Sequence, residues 1–293
     1  MSDVVRFYRS PQVLPAPAMD GNFDSVFAMF MVLVNGDGTQ PGVGWELLHK
    51  DDTNRMFALK SPAGFIVRFW ANTLYSTSWA WRIQLFKSLP SLDGNGAIPI
   101  STERFFEISS RNSTSYSPGG YLITASDNWF YLHLDYNRAG GYTGAIWFAG
   151  IPMYIDKFNS INSPVLWFNN RSKESCSDGI HSSSAIQSIF NGLGDFGESV
   201  NVIKSKRIVN EPVMTAGDVY ADKIYCCTTS GDVMFYLPSI RSCFTFPFNK
   251  DNSKPKTNDL INIGGLLSCV VSQFYFNSNI EGRLSNIIFI SEC

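Results

Sequence analysis

The sequence predicts a mainly β protein, with an antiparallel β-sandwich or barrel-like core and one N-terminal amphipathic helix. Three observations support this fold class. A segment before Trp45 carries apolar residues at helical spacing, and the segments after Trp45 alternate apolar and polar residues between turn-forming Gly, Pro, Asn, Asp and Ser. Hydrophobic residues make up 44% of the 293 residues and charged residues only 16%, which indicates a large core beneath a weakly charged surface.

The predicted helix begins near Phe23. Its apolar residues fall at i, i+3, i+4, i+7, i+8 and i+11 and so share one face: Phe23, Val26, Phe27, Phe30, Met31 and Val34. Asn22 or Asp20 can cap its start, and Gly36 can end it with a positive φ. The apolar run ending at Val34 is much shorter than the roughly 20 residues of a membrane span, so we expect a helix packed beneath a sheet.

The glycine-rich loop after this helix, NGDGTQPGVGW, has the outline of a phosphate-binding loop. However, it follows a helix instead of preceding one, and it lacks the Gly-Lys-Ser/Thr ending of such loops. We therefore predict a tight structural corner, from which Trp45 leads into the first core strand.

The segments after Trp45 predict antiparallel strands. In WAWRIQLF, one face carries Trp79, Trp81, Ile83 and Leu85 and the other carries Ala80, Arg82, Gln84 and Phe86. In WFYLHLDY both faces carry large side chains, which predicts a central strand covered on each side. Further strands are expected at FALKS, FIVRFWA, FFEIS, YLITA, TGAIWFAGI, PVLWFN, SVNVIKS, KIYCCTT, DVMFYLP, LLSCVVSQFYF and LSNIIFIS.

Two polar segments bound the predicted domain organisation. Residues 1–168 form the helix and a β-rich core, residues 169–185 (NNRSKESCSDGIHSSSA) a polar linker or long loop, and residues 186–293 a β-rich C-terminal part that either stands alone or completes the same domain. Residues 248–259 are a second predicted surface loop. No repeat of fixed period is apparent, which argues against a fibre of short β-repeats.

Charge and cysteine usage exclude several classes of protein. A net charge of −2 without a basic block argues against a nucleic-acid binder. The six cysteines are not spread evenly as in a secreted disulfide scaffold, and they form no C-x-x-C pair: Cys176, Cys226, Cys227, Cys243, Cys269 and Cys293. We expect mostly buried free thiols made in a reducing cytoplasm, and the N-terminus MSDVVRFYRSPQ lacks the pattern of a signal peptide.

The three histidines provide the first test for catalytic chemistry. His133 lies mid-strand with Asp135 on the same predicted face, but no nucleophile motif accompanies the pair, so we predict a hydrogen-bonded structural histidine. His49 begins HKDDTN, which lacks the residue order of a calcium loop and is predicted to be a hairpin turn. His181 falls in the polar linker.

Two further patterns resemble known kinds of site. The GLGDFG motif, residues 192–197, matches a dinucleotide fingerprint, but a strand-like segment follows it and no βαβ alternation surrounds it. Glycoside hydrolysis needs two carboxyl groups at a defined distance, and the sequence does not give the distances between its acidic candidates: Glu46, Asp93, Glu103, Glu107, Asp127 and Asp135. The sequence therefore assigns no catalytic, cofactor-binding or metal-binding residue.

Aromatic residues, 14% of the chain, are the remaining functional signal. Most of the seven tryptophans are expected in the core. Those that are exposed could stack on sugar rings or fill hydrophobic pockets of a partner.

Several motifs occur in a fixed order along the chain. The first set is Tyr8-Arg9-Ser10, then VLVNGDG, then Gly44-Trp45 before an alternating strand. An aspartate before FYL follows in SDNWFYLHLDY, then the turn at residues 148–150, and finally GDVMFYLPSI. Together these segments resemble a recurrent structural protein of tailed bacteriophages. Two departures stand out: the family's aspartate after the Phe-Gly turn is missing at Ile151 and Pro152, and Ser239 replaces the glycine that follows Leu-Pro.

The resemblance implies a virion protein of the tail, baseplate or tail-fibre attachment region, without catalytic activity or cofactor. It implies assembly with other virion proteins as a symmetric homo-oligomer, synthesis in the bacterial host cytoplasm, and a final location in the phage particle, with no nucleic-acid partner and no membrane insertion. Two alternatives stay open: a capsid decoration protein on the head surface, and a carbohydrate-binding adhesin that binds a host surface glycan.

Overall fold

The computed structural model describes residues 4–9, 23–72, 79–101, 103–108, 116–138, 145–156, 163–169, 219–227, 233–245, 260–263, 266–274 and 284–290. Several sequence predictions lie outside these residues. They are the helix caps Asn22 and Asp20, the polar linker after Asn169, the GLGDFG motif, and the second surface loop at residues 248–259.

Helices are confined to one stretch of the described chain, α1 (Phe23–Phe30) and α2 (Val32–Asn35). The strands are β1 (Arg6–Arg9), β2 (Glu46–Asp51), β3 (Met56–Lys60), β4 (Ile66–Asn72), β5 (Trp79–Ser88), β6 (Ile98–Pro99), β7 (Arg104–Ile108), β8 (Tyr116–Ala125), β9 (Trp129–Arg138), β10 (Ala145–Gly150), β11 (Met153–Tyr154), β12 (Val165–Asn169), β13 (Val219–Cys227), β14 (Val233–Thr245), β15 (Leu260–Ile263), β16 (Leu266–Phe274) and β17 (Leu284–Ile290).

These strands form three antiparallel sheets. Sheet A has the order β1-β8-β9-β10-β12. Sheet B has the order β2-β3-β4-β5-β6, with β7 also paired to β5. Sheet C has the order β11-β14-β17-β16-β15, with β13 also paired to β14. The predicted fold class, mainly β with antiparallel sheets and one N-terminal helix, is confirmed.

Sheets A and B share one hydrophobic core with the helix between them, in a sandwich-like arrangement. Phe30 of α1 lies with its ring centroid 4.2 Å from that of Phe69 on β4 and 5.6 Å from that of Phe130 on β9. The last two rings also approach each other directly, at 6.4 Å. Because one phenylalanine contacts both sheets, the helix contributes to the core of the sandwich and does not merely cover its edge.

The helix follows the predicted span, but its buried face differs in part from the predicted one. Met31 lies between α1 and α2, and Val34 N donates to Met31 O at 3.0 Å, three residues back as in a 3₁₀ turn. The positions with the least exposure are Val26, Met29, Phe30 and Leu33. Phe27, Met31 and Val34, predicted on the buried face, are only partly buried. Both sheets contact the helix, so tertiary packing decides which of its apolar residues are fully buried.

Among the described residues, no helix combines the length and the apolar character that a membrane span requires.

The predicted faces of two strands are confirmed. On β5, Trp81, Ile83 and Leu85 are buried in the main core, whereas Phe86 belongs to a separate cluster on the opposite face of sheet B. β9 is the middle strand of sheet A, and its residues from Trp129 to His133 are all buried. Large side chains on both faces of WFYLHLDY thus indicate a strand covered on both sides.

Sheet C combines strands from both predicted parts of the chain. β11, which precedes the predicted linker, pairs with β14 through Met153↔Tyr236 and Tyr154↔Phe235. The boundary at residues 169–185 stays a prediction, because the described residues stop at Asn169 and resume at Val219. Cys226 and Cys227 lie at the end of β13, where the register with β14 shifts between them.

Candidate functional site

The glycine-rich corner after α2 is closed by its own hydrogen bonds. Gly36 and Gly38 have φ values of 80° and 86°. Between them, the Asp37 Oδ1 atom accepts hydrogen bonds from Thr39 N at 2.9 Å and Gln40 N at 2.8 Å, and Asp37 N donates to Gln40 O at 3.1 Å. Partial burial pushes the pKa of Asp37 upward, but the hydrogen bonds from Thr39 and Gln40 outweigh it and hold the pKa below its usual value.

Strand β1 fastens this corner to sheet A. Tyr8 Oη donates to Pro41 O at 2.7 Å, and Gln40 Nε2 donates to Phe7 O at 2.8 Å. Burial raises the pKa of Tyr8 to about 12. A bound phosphate would need free backbone N–H donors in this loop. The N–H groups of Asp37, Thr39 and Gln40 already donate hydrogen bonds within the loop, so its geometry supports the predicted structural role.

Trp45 ends the corner inside the core. Its indole Nε1 donates to Ser126 O at 2.9 Å, and its ring meets those of Phe65 and Phe130 with centroids 5.5 Å apart in both cases. The prediction that Trp45 leads into the first core strand is wrong in one respect. β2 is an edge strand of sheet B with mostly exposed or half-buried residues, and the first well-buried strand is β3.

His133 is buried at the centre of sheet A. Within the part of the chain that the structure describes, neither ring nitrogen has a hydrogen-bond partner. The prediction of a hydrogen-bonded histidine is therefore wrong among the described residues, and burial in a central strand, opposite Leu122 of β8, keeps water from the ring. Burial alone lowers the pKa of His133 to about 3. The side chain of Asp135 lies outside what the structure describes.

The segment HKDDTN forms the predicted hairpin turn between β2 and β3. Asp51 Oδ1 accepts from Asn54 N at 2.9 Å, and Lys50 pairs with Asp52 at 2.6 Å. His49 turns away from these oxygens, and its Nε2 lies 3.0 Å from Leu89 O. In the described ranges, no three His, Cys, Asp or Glu residues are grouped as ligands of one metal ion.

Two of the candidate carboxylates take part in local contacts. Asp93 accepts hydrogen bonds from Asn95 N at 3.0 Å and from the Ser91 hydroxyl. Glu103 forms an ion pair with Arg82 of β5. These contacts give each carboxylate a structural partner of its own.

The sequence did not predict a polar and aromatic surface that lies on sheet B. The Arg68 guanidinium lies over the rings of Trp70 and Phe86, 4.2 and 4.8 Å from their centroids. Its Nη1 donates to Leu92 O at 2.9 Å, and its Nη2 donates to Gln84 Oε1 at 3.2 Å. Alternation in FIVRFWAN places Arg68 and Trp70 on one face, but the sequence does not give the pairing that brings neighbouring strands beside them.

No protein-family model matches the chain, and no curated protein matches its sequence. The resemblance to a structural protein of tailed phages therefore rests on the motifs themselves.

The motif glycines occupy positions that need glycine. Gly36, Gly38 and Gly44 of the N-terminal motif have φ between 80° and 86°. Residues 148–150, predicted as a turn, are instead the end of strand β10, where Gly150 has φ 149° and a Cβ atom would lie 2.3 Å from Trp129 Cβ. The residues that carry the resemblance thus fix backbone geometry.

Ser239, the departure from the family's Leu-Pro-Gly, has the backbone of a glycine position. It is one of two described non-glycine residues with positive φ, at 52°, and it is 3% exposed. The register between β13 and β14 passes from Lys223↔Arg241 to Tyr225↔Tyr236, so residues 237–240 of β14 have no partner on β13 and form a bulge in that pairing. The bulge presents the Pro238 carbonyl to sheet A, where Tyr131 Oη donates to it at 2.6 Å.

We expect Ser239→Gly to stabilise the protein by about 0.5–1 kcal/mol, because glycine relieves a left-handed strain of about 1–2 kcal/mol and loses part of that gain to unfolded-state entropy. Urea unfolding measures the change. Ser239→Ala is the control, since it removes the hydroxyl and keeps the Cβ. Equal stabilities of the two variants would contradict a strained position.

Proposed function

We propose that this chain is a structural component of a tailed bacteriophage virion, in the tail, baseplate or tail-fibre attachment region. The observation that carries the proposal is the match between the family motif and backbone geometry. Where the family has glycine after Leu-Pro, this chain has a serine at φ 52°. A backbone that keeps a glycine conformation under another side chain supports a shared fold at this position, independently of sequence identity.

A structural role agrees with what the motif residues do. The corner at Gly36, the end of β10 at Gly150 and the bulge at Ser239 each bring one element of the fold against another. In this proposal the protein acts through assembly with other virion proteins, as a symmetric homo-oligomer, and performs no turnover. Only 16% of the residues in the whole chain are charged. A low charge content suits a protein whose surface is in permanent contact with other subunits.

Mass spectrometry of purified particles of the phage that encodes this chain tests the proposal. We expect the protein in the particle, at a copy number that is a multiple of the symmetry of a tail or baseplate ring. Absence from particles that are otherwise complete would overturn the proposal.

Antibody labelling of intact particles and of tail-less heads then locates the protein. Labelling confined to tails supports a place in the tail, baseplate or tail-fibre attachment region. Labelling of tail-less heads would instead identify a capsid decoration protein and contradict a place in the tail.

A further inference from the structure

The outer face of sheet B, the face turned away from the shared core, is only half covered by described residues. The loop between β5 and β6 lies over one half, and it forms a small apolar cluster with the sheet: Ala58, Ile66, Phe86 and Leu89, with Leu48, Leu92 and Ala97 packed against them. Two polar contacts hold this loop, from Arg68 to Leu92 O and between His49 and Leu89 O. The remaining half begins at Trp70.

Backbone pairing defines a row of residues across that second half, which we call the Trp70 row. Met56 of β3 pairs with Trp70 of β4, Trp70 pairs with Arg82 of β5, and Arg82 pairs with Phe105 of β7. Residues directly opposite one another in neighbouring strands share a face, so the side chains of Met56, Trp70 and Arg82 form a row across three strands. Met56, Trp70 and Arg82 are each half-buried, which leaves part of every one of these side chains in contact with solvent.

A cation covers one face of the Trp70 indole. The Arg68 guanidinium lies 4.2 Å from its ring centroid and is itself placed over Phe86. Such stacking fixes the indole and leaves its opposite face directed away from Arg68.

Beside the indole lies an ion pair that is open to solvent. The side chains of Arg82 and Glu103 are 24% and 33% exposed. Arg68 is also under the electrostatic influence of Glu103 and Asp93. Among the described side chains of this surface, two arginines are therefore balanced by two carboxylates, which offer both hydrogen-bond donors and acceptors without a strong net charge.

We propose that the Trp70 row binds a saccharide ring of a neutral glycan. A sugar ring presents an apolar C–H face and a rim of hydroxyl groups that donate and accept hydrogen bonds. The indole provides a flat apolar surface for the first, and the Arg82–Glu103 pair provides an acceptor and a donor for the second. A polyanionic ligand is disfavoured, because it would need an excess of cations that this surface lacks.

This site goes beyond the proposed structural role and requires no particular place in a particle. Proton–nitrogen NMR spectra of the full chain resolve the indole Nε1–H signals of its seven tryptophans, and Trp70→Phe identifies the signal of Trp70 by its loss. The probes are dextran, maltohexaose, a galactan, oligomers of N-acetylglucosamine, and heparin as the polyanion.

We expect at least one neutral glycan to shift the Trp70 signal in a saturable manner, with a dissociation constant that Trp70→Ala raises about tenfold or more, which corresponds to about 1.4 kcal/mol. Trp70→Tyr keeps a flat ring and should retain most of the affinity, which separates loss of the platform from loss of the fold. Lys87→Ala, at an exposed position outside the row, is the matched control and should bind as the wild type does.

Three results would overturn the proposal. They are an unchanged Trp70 signal with every neutral glycan, binding that survives in Trp70→Ala, and binding of heparin alone with a steep dependence on salt. The last would assign a polyanion to this face instead of a neutral sugar.

Discussion

Gly36→Ala is expected to lower the free energy of unfolding by about 3 kcal/mol or more, one of the two largest effects that the structure predicts. A Cβ atom at Gly36 would lie 1.9 Å from Gln40 O and 2.8 Å from Pro41 C, and φ at this position is 80°. These neighbours are backbone atoms, so no side chain can rotate out of the way. The loop would have to open, and with it the hydrogen bond from Tyr8 to Pro41 O.

Gly38→Ala is the matched control for this prediction. Gly38 lies in the same loop with φ 86°, but a Cβ atom there would have no neighbour within 4 Å. Only the left-handed strain remains, offset in part by unfolded-state entropy, and we expect a loss of about 1 kcal/mol. Urea unfolding of both variants isolates the contribution of the close contact. Similar losses of unfolding free energy in the two variants would mean that the loop accommodates the added methyl group at Gly36 at little cost, which would contradict the prediction.

Local patterns predicted the parts of the fold that depend on one segment at a time. Alternation in WAWRIQLF gave the buried face of β5, and large residues on both faces of WFYLHLDY gave the central position of β9. The order of helix and glycine loop was enough to predict a structural corner. In each case the physical cause is short-range, because side-chain direction follows from the helical or strand period.

Contacts between distant segments account for the features that the sequence did not predict. The helix face was partly wrong because both sheets contact Phe30, and β2 proved to be an edge strand because no described strand pairs with its outer side. The crossing of β11 into sheet C likewise depends on β14, about 80 residues further along the chain by the register Met153↔Tyr236. No local sequence pattern predicts the pairing register of strands that lie so far apart in the chain.

The candidate sites follow the same division. That Arg68 and Trp70 share a face can be read from their spacing, but the placement of Arg82 beside them comes from the register of β4 and β5. The strain at Ser239 had one sequence signal, the glycine that the family resemblance places there. His133 was predicted to be buried in a strand, and its lack of partners among the described residues depends on which side chains surround it.

Acid is expected to destabilise the protein through His133 as soon as the pH falls below about 6.5. In the unfolded chain this histidine has a pKa of about 6.5. Burial lowers the pKa in the folded protein to about 3. Between these values the unfolded state binds a proton that the folded state does not, so the free energy of unfolding falls as the pH falls, by about 1.4 kcal/mol per pH unit. The loss begins near pH 6.5 and levels off near the folded pKa.

His133→Leu isolates this contribution, because the other titrating groups are present in both proteins. Leucine suits a site whose ring nitrogens have no described partner and whose register neighbours are Leu122 and Ile146, so the variant should be at least as stable as the wild type at pH 7. Urea unfolding at several values between pH 7 and pH 4.5 gives the difference between the two proteins. That difference should grow in favour of the variant by about 1.4 kcal/mol per pH unit below pH 6.5, since the variant takes up one proton fewer on unfolding. A constant difference across this range would show that His133 is protonated equally well in the folded protein, and would place a hydrogen-bond acceptor or water beside a ring that has no described partner.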